Sequence, residues 1–152
     1  MGTQAELELE NSFIQQLEGL SYERMFLRTE QALLDNLKTQ IQKLNQLPNP
    51  FSEQEWKQVW HYLTKETSVF AKAQLLRDRF PLKFDDGTVK HLCFLGETTT
   101  DNHYQVSNQI VSDHSALNGR TSRFDVTLLV NGFPLIQIEL KRRGVEIQQA
   151  FK

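Results

Sequence analysis

The sequence predicts an α/β domain with a helical first half, and three observations predict it. Apolar residues recur at helical spacing from the N-terminus to about residue 79. The character of the chain changes at Phe80-Pro81, after which turn signals separate short apolar runs. The strongest of those runs, near the C-terminal end, alternate apolar and polar side chains with a period of two.

Residues 5–19 place Leu7, Phe13, Ile14 and Leu17 on one side of a helix that Gly19 ends. Residues 22–46 continue in helical spacing with Met25, Leu33, Leu34, Leu37, Ile41 and Leu44, with a break expected near Thr29. Leu47-Pro48-Asn49-Pro50 interrupts the pattern. Ser52-Glu53-Gln54-Glu55 is a capping box, in which the Ser52 and Glu55 side chains satisfy free amides at a helix start. Trp56, Val59, Trp60 and Leu63 then form one apolar face, and both tryptophans are assigned to the core rather than to a base-stacking platform. A further helix is expected over 69–79.

Asp86-Gly87 marks a turn between Leu82-Lys83-Phe84 and a strand over Val89 to Leu95, and Tyr104-Gln105-Val106 is the next strand. Asn118-Gly119 lies in a polar loop. Strands over 123–130 and 134–141 follow, joined at Asn131-Gly132, and Val145 to Lys152 resembles the first turns of a helix.

Composition narrows the function classes. With 152 residues, 39% hydrophobic and 24% charged, the chain suits one globular domain. No apolar run approaches the length that spans a bilayer, and the acidic start Met1-Gly2-Thr3-Gln4-Ala5-Glu6 is neither a secretory signal nor a myristoylation motif. A cytoplasmic protein without a membrane partner is expected. The lone Cys93 excludes an internal disulfide and a cysteine-rich zinc site, and it reads as a small core residue in a buried strand. His61, His91, His103 and His114 lack zinc-ligand spacing, and Ser112, Ser115 and Ser122 lack a nucleophile-elbow context. A net charge of -2 removes the simplest argument for nucleic acid, so any such contact must come from a local cluster such as Lys141-Arg142-Arg143.

The 123–141 hairpin is the informative region. Phe124, Val126, Leu128, Val130, Ile136, Ile138 and Leu140 are apolar, whereas Asp125, Thr127, Gln137, Glu139 and Lys141 are polar. A two-residue turn at Asn131-Gly132 would set Val130 opposite Phe133 and pair even positions with odd, mixing the faces. A three-residue loop with Gly132 left-handed in a bulge instead pairs Leu129 with Phe133 and Asp125 with Gln137, and a bulge lower in the hairpin would sort the faces in the same way. Either way Asp125, Glu139 and Lys141 share the polar face.

That set suits phosphodiester hydrolysis, which needs charge stabilisation on the phosphate and an activated water. Asp125, Glu139 and the Leu140 backbone carbonyl are hard oxygen ligands for Mg²⁺. Lys141 can orient the water or stabilise the phosphorane. The same three residues also suit an ordinary solvated face. Arg120, Arg123, Arg142 and Arg143 are candidate DNA-phosphate contacts and equally ordinary surface residues.

The segment Arg-Phe-Asp-Val-Thr-Leu-Leu-Val-Asn-Gly-Phe-Pro-Leu-Ile-Gln-Ile-Glu-Leu-Lys-Arg-Arg-Gly, 123–144, closely resembles the nuclease segment at the N-terminus of the restriction (R) subunit of type I restriction–modification enzymes. The Asn-Gly-x-Pro-Leu turn is its most specific feature. Tyr104 to Gln109 and Glu8 to Tyr22 share the resemblance, and about 30–90 matches weakly. The resemblance implies a PD-(D/E)xK (restriction endonuclease-like) core, a mixed sheet flanked by helices. It implies a type I site-specific deoxyribonuclease that cuts double-stranded DNA with Mg²⁺, or Mn²⁺ in vitro. Asp125 and Glu139 are then metal ligands and Lys141 the catalytic lysine. Many members of the wider superfamily add a glutamate from the first helix. Glu10 fits that place ahead of Glu6 and Glu8, and it also reads as an ordinary exposed helix residue.

The resemblance further implies methyltransferase and specificity subunits as partners, and an ATP-driven translocase in the full-length subunit. This chain has no phosphate-binding loop of the G-x-x-x-x-G-K-[S/T] type, and it stops at Lys152, before the family's Gln-x-x-x-Tyr motif would be expected. On this reading residues 1–152 are a single nuclease domain, an N-terminal fragment truncated in its last helix, weakly active or inactive alone and unable to hydrolyse ATP. Two alternatives remain open: a catalytically silent docking module of the same fold that holds translocase or methyltransferase subunits, and a stand-alone nuclease without a motor.

Overall fold

A computed structural model of the chain describes residues 4–113 and 121–140, with side chains over 4–111 and 125–140. In chain order the elements are α1 (Gln4–Gly19), β1 (Glu23–Arg24), α2 (Glu30–Leu44), α3 (Glu53–Thr64), α4 (Val69–Arg77), β2 (Phe80–Lys83), β3 (Val89–Leu92), β4 (Tyr104–Asp113), β5 (Thr121–Val130) and β6 (Phe133–Ile138). They form two compact units, one from both ends of the chain and one from Asn36–His103.

The unit built from the chain ends carries a four-stranded sheet in the order β1-β4-β5-β6. β1 runs parallel to β4 and the other pairs are antiparallel. This is the mixed sheet that the resemblance implied. α1 follows its apolar periodicity: Ile14 and Leu17 are buried against Val106 of β4 and Val126 and Leu128 of β5. Phe13, Tyr22, Ile138 and Leu140 pack around that cluster. After Gly19 the chain reverses, with the Tyr22 N–H donating to the Leu17 carbonyl at 3.1 Å.

Tyr22 to Thr29 is not the helix its spacing predicts. Glu23 and Arg24 pair with Gln105 and Val106, the Met25 N–H donates to the Val106 carbonyl at 2.8 Å, and the Leu27 N–H donates to Ser107 Oγ at 2.9 Å. A helix would satisfy those amides locally, but pairing beside β4 satisfies them in the sheet, and tertiary context overrides a weak propensity. The expected break at Thr29 is present. Its hydroxyl accepts the Ala32 N–H at 3.1 Å, and α2 starts at Glu30.

The Asn36–His103 unit has its capping box at Ser52 and Glu55 in both directions. The second Glu55 oxygen accepts the Asp85 N–H at 3.0 Å, so one carboxylate joins the α3 start to the β2–β3 connection. β2 and β3 pair as the expected hairpin, with Gly87 at φ 89 in the turn. Tyr62 stacks between Phe80 at 4.6 Å and Phe94 at 5.8 Å, and its hydroxyl donates to the Leu75 carbonyl.

Two sequence expectations are corrected in this unit. Trp56 and Val59 are buried as expected, but Trp60 is 45% exposed, because the buried stripe of α3 continues through Tyr62 instead. Cys93 lies just past the end of β3 and is half-buried rather than in the core. Its backbone N–H and carbonyl are both tied to the Asn45 side chain, which competes with continuation of the strand. Among the described residues no helix is long and apolar enough to cross a membrane.

Candidate functional site

The hairpin that carries the candidate residues solves its parity problem by the second expected route, a bulge lower in the hairpin, rather than by the bulged three-residue loop. Asn131 at φ 52 and Gly132 at φ 86 form the two-residue turn, with Val130 opposite Phe133. Positive φ at both central residues matches the right-handed twist of the flanking strands. The compensating irregularity follows at once: Leu129 pairs with Pro134 and Leu128 with Ile136, leaving Leu135 as the extra residue of a bulge. Pro134 has no N–H to give a ladder, so an irregular position costs little there. Beyond the bulge even residues oppose even ones, as the apolar pattern demands. The register is shifted, however. Gln137 faces Thr127, not Asp125, and continuation past the last pair, Val126 with Ile138, sets Asp125 opposite Glu139.

At that point the ladder stops and a side chain takes over. Asp125 Oδ2 accepts the Leu140 backbone N–H at 2.9 Å. The half-buried Asp125 carboxylate is thereby fixed against the Glu139–Leu140 peptide. Glu139 is exposed, between half-buried Ile138 and Leu140 that pack on the core cluster. The arrangement brings two carboxylates and one peptide carbonyl to the same end of the β5–β6 pair.

The polar face is not simply a solvated one. Thr127, one position in from Asp125 on that face, is 1% exposed, and its hydroxyl has no hydrogen-bond partner among the described residues. Asp125 therefore stands where a closed surface gives way to an accessible one.

Glu10 is not the exposed helix residue of the ordinary reading. It is 3% exposed on the same side of α1 as Ile14 and Leu17. Oε1 accepts from Asn108 Nδ2 at 2.7 Å, and both oxygens accept from Gln109 Nε2, at 3.1 and 3.0 Å. Among the described residues no three Asp, Glu, His or Cys side chains gather into a metal-holding group, so Glu10 is not drawn together with Asp125 and Glu139.

The remaining candidates are less informative. The Arg123 backbone pairs with Val111. Lys141, Arg120, Arg142, Arg143, His114, the Asn118-Gly119 loop and the expected helix from Val145 lie outside the described residues. Sequence reading missed Asn108 and Gln109 as donors to a candidate residue, and Arg28 as the donor to Asn108. The available signal was the spacing of Glu10, Ile14 and Leu17, which sets a carboxylate on an apolar helix face where it needs buried donors.

Residues 3–152 match the family described as type I restriction enzyme R protein N terminus. The chain belongs to that family. It is 39% identical over 155 residues to a type I restriction enzyme endonuclease subunit of Staphylococcus aureus (strain MSSA476), an alignment covering 99% of this chain and 16% of that protein. A Staphylococcus saprophyticus endonuclease subunit is 38% identical over 97% of this chain and 16% of its own length. The Escherichia coli EcoprrI endonuclease subunit is 36% identical over 97% of this chain and 47% of its own length. The chain thus corresponds to the R-subunit N-terminal domain and spans less than half the length of these relatives.

Proposed function

We propose that this chain is the Mg²⁺-dependent endonuclease domain of a type I restriction enzyme R subunit, hydrolysing phosphodiester bonds of double-stranded DNA. The observation that carries the proposal is the Asp125–Leu140 bond at 2.9 Å, which holds one carboxylate beside the peptide that bears the other. Asp125, Glu139 and the Leu140 carbonyl form a hard-oxygen donor set. Mg²⁺ suits it, because this ion binds through one or two carboxylates and keeps several waters. Bound there, the ion would neutralise charge on the phosphate and make a water more acidic. Asp125 and Glu139 hold the site, and the burial of Thr127 limits water on one side of it. Lys141 is assigned to orient the attacking water and stabilise charge on the phosphate, with Arg120, Arg123, Arg142 and Arg143 contacting neighbouring phosphates.

The names of the relatives support a type I restriction-system setting. Methyltransferase and specificity subunits as partners, and ATP use by the full-length subunit alone, are part of the proposal. The test is supercoiled-plasmid cleavage with Mg²⁺ and ATP by the complete subunit and its partners, comparing the unsubstituted protein with Lys141→Ala while following ATP hydrolysis. Loss of cleavage with ATP hydrolysis intact is expected. Undiminished cleavage by Lys141→Ala would overturn the assignment and favour a docking module of the same fold.

A further inference from the structure

Consecutive residues of a regular strand point to opposite faces. Asn108 and Gln109 nevertheless bind the same Glu10 carboxylate. They can do so because Gln109 has φ 56, a left-handed conformation that a residue with a Cβ adopts only when its surroundings hold it. The clamp is anchored at its other end as well. Arg28 Nη1 donates to Asn108 Oδ1 at 2.6 Å and also to the Asn108 backbone carbonyl. Asn108 thus receives from the guanidinium and gives to the carboxylate, which fixes the orientation of its amide.

The position of the distortion is the telling part. Asn108 pairs with Val126 and Ile110 with Phe124, so Gln109 and Asp125 stand opposite each other, and the β4–β5 ladder skips that one pair. Opposed residues of an antiparallel pair lie about 4.5–5.5 Å apart at Cα. A backbone change at Gln109 is therefore felt first by the segment of β5 that bears Asp125.

We propose that Glu10 is a positioning residue: its buried carboxylate holds Gln109 in the left-handed conformation, and this sets β5 so that Asp125 meets the Leu140 N–H. The inference rests on the reading of Asp125 as a metal-holding residue. It gives Glu10 a role through Gln109 rather than as a direct ligand.

The test uses the complete subunit with its partners, reading kcat and KM for plasmid cleavage and, separately, Mg²⁺ affinity by calorimetry. Glu10→Gln weakens the clamp, and kcat and Mg²⁺ affinity are expected to fall about tenfold, the population shift that one left-handed residue corresponds to. KM for DNA is expected to hold. Adding Gln109→Gly to Glu10→Gln restores most of both, because glycine adopts positive φ without a tether. A direct ligand could not be rescued in this way, so an unrescued loss overturns the proposal, as does a Glu10→Gln protein with full kcat and affinity. If Glu10→Gln fails to fold, Gln109→Ala and Gln109→Gly decide with Glu10 intact: alanine is expected to cleave about tenfold slower than glycine, and equal rates overturn the proposal. Asp125→Asn in the same assay separates the two readings. If it still cleaves, the metal-site reading fails and this inference with it. If Asp125→Asn is inactive while the Glu10 and Gln109 variants behave as unsubstituted, only this inference fails.

Discussion

The Asp125 carboxylate accepts the Leu140 backbone N–H at 2.9 Å, at the place where the β5–β6 ladder ends after Val126 and Ile138. A side-chain acceptor has replaced a backbone one. The hydrogen bond locks Asp125 and separates two properties that mutation can test apart. Asp125→Asn keeps an oxygen that can accept the Leu140 N–H but loses the charge. Its urea midpoint is expected to stay close to that of the unsubstituted protein, while Mg²⁺ affinity and plasmid cleavage collapse. Asp125→Ala is expected to lose stability as well, by about 1 kcal/mol, the cost of a part-buried donor left without its partner.

Glu55 is expected to matter to the Asn36–His103 unit out of proportion to its position in a helix first turn. Its carboxylate accepts the Ser52 N–H at 2.9 Å and the Asp85 N–H at 3.0 Å. Glu55→Ala removes both bonds and is expected to cost about 2 kcal/mol in urea unfolding. Glu55→Gln retains an acceptor and is expected to lose less. Equal losses would mean that the charge alone matters.

Tyr62 makes alkaline stability measurable. Burial raises the phenol pKa above its ordinary value, and the nearby Asp78 charge raises it further. With the folded pKa above the unfolded one, the contribution is fully present below the unfolded value of about 10 and is lost as pH rises through the folded value. Unfolding followed from neutral pH upward should show this loss, and Tyr62→Phe should flatten it. Because Tyr62→Phe also removes the bond to the Leu75 carbonyl, its neutral-pH stability should fall by about 1 kcal/mol.

The Asn131-Gly132 turn predicts a contrast within two residues. Gly132 at φ 86 tolerates no side chain cheaply, and Gly132→Ala is expected to destabilise the hairpin by about 1–2 kcal/mol. Asn131→Gly at φ 52 is expected to incur no backbone penalty, since both residues are accepted at that turn position, so any loss reports the buried Asn131 side chain alone. Thermal unfolding of the two variants checks it.

The elements themselves were legible because their signals are local. The periodicity of Ile14 and Leu17, the Ser52–Glu55 capping box, the Asp86-Gly87 turn and the alternation through Val126, Leu128 and Ile138 each specify a helix start, a turn or a buried face from nearby residues alone. The parity argument for the hairpin also held, since apolar residues must share a face wherever the register falls. By itself, then, the sequence determined the helical first half, the two hairpins and the grouping of Asp125 with Glu139.

Tertiary structure decided what depends on partners distant in sequence. Whether parity was restored in the turn or at Leu135 was settled by strand twist and a proline without an N–H, and that choice moved Asp125 from Gln137 to Glu139. Tyr22 to Thr29 left its helical pattern because β4, some eighty residues later, offered its amides acceptors. Glu10 was turned from an apparent surface charge into a buried one by Asn108 and Gln109, whose amides reach it only because one backbone residue is left-handed. A lone carboxylate on an apolar helix face announces that it needs donors, but which strand supplies them is decided only when helix and sheet pack together.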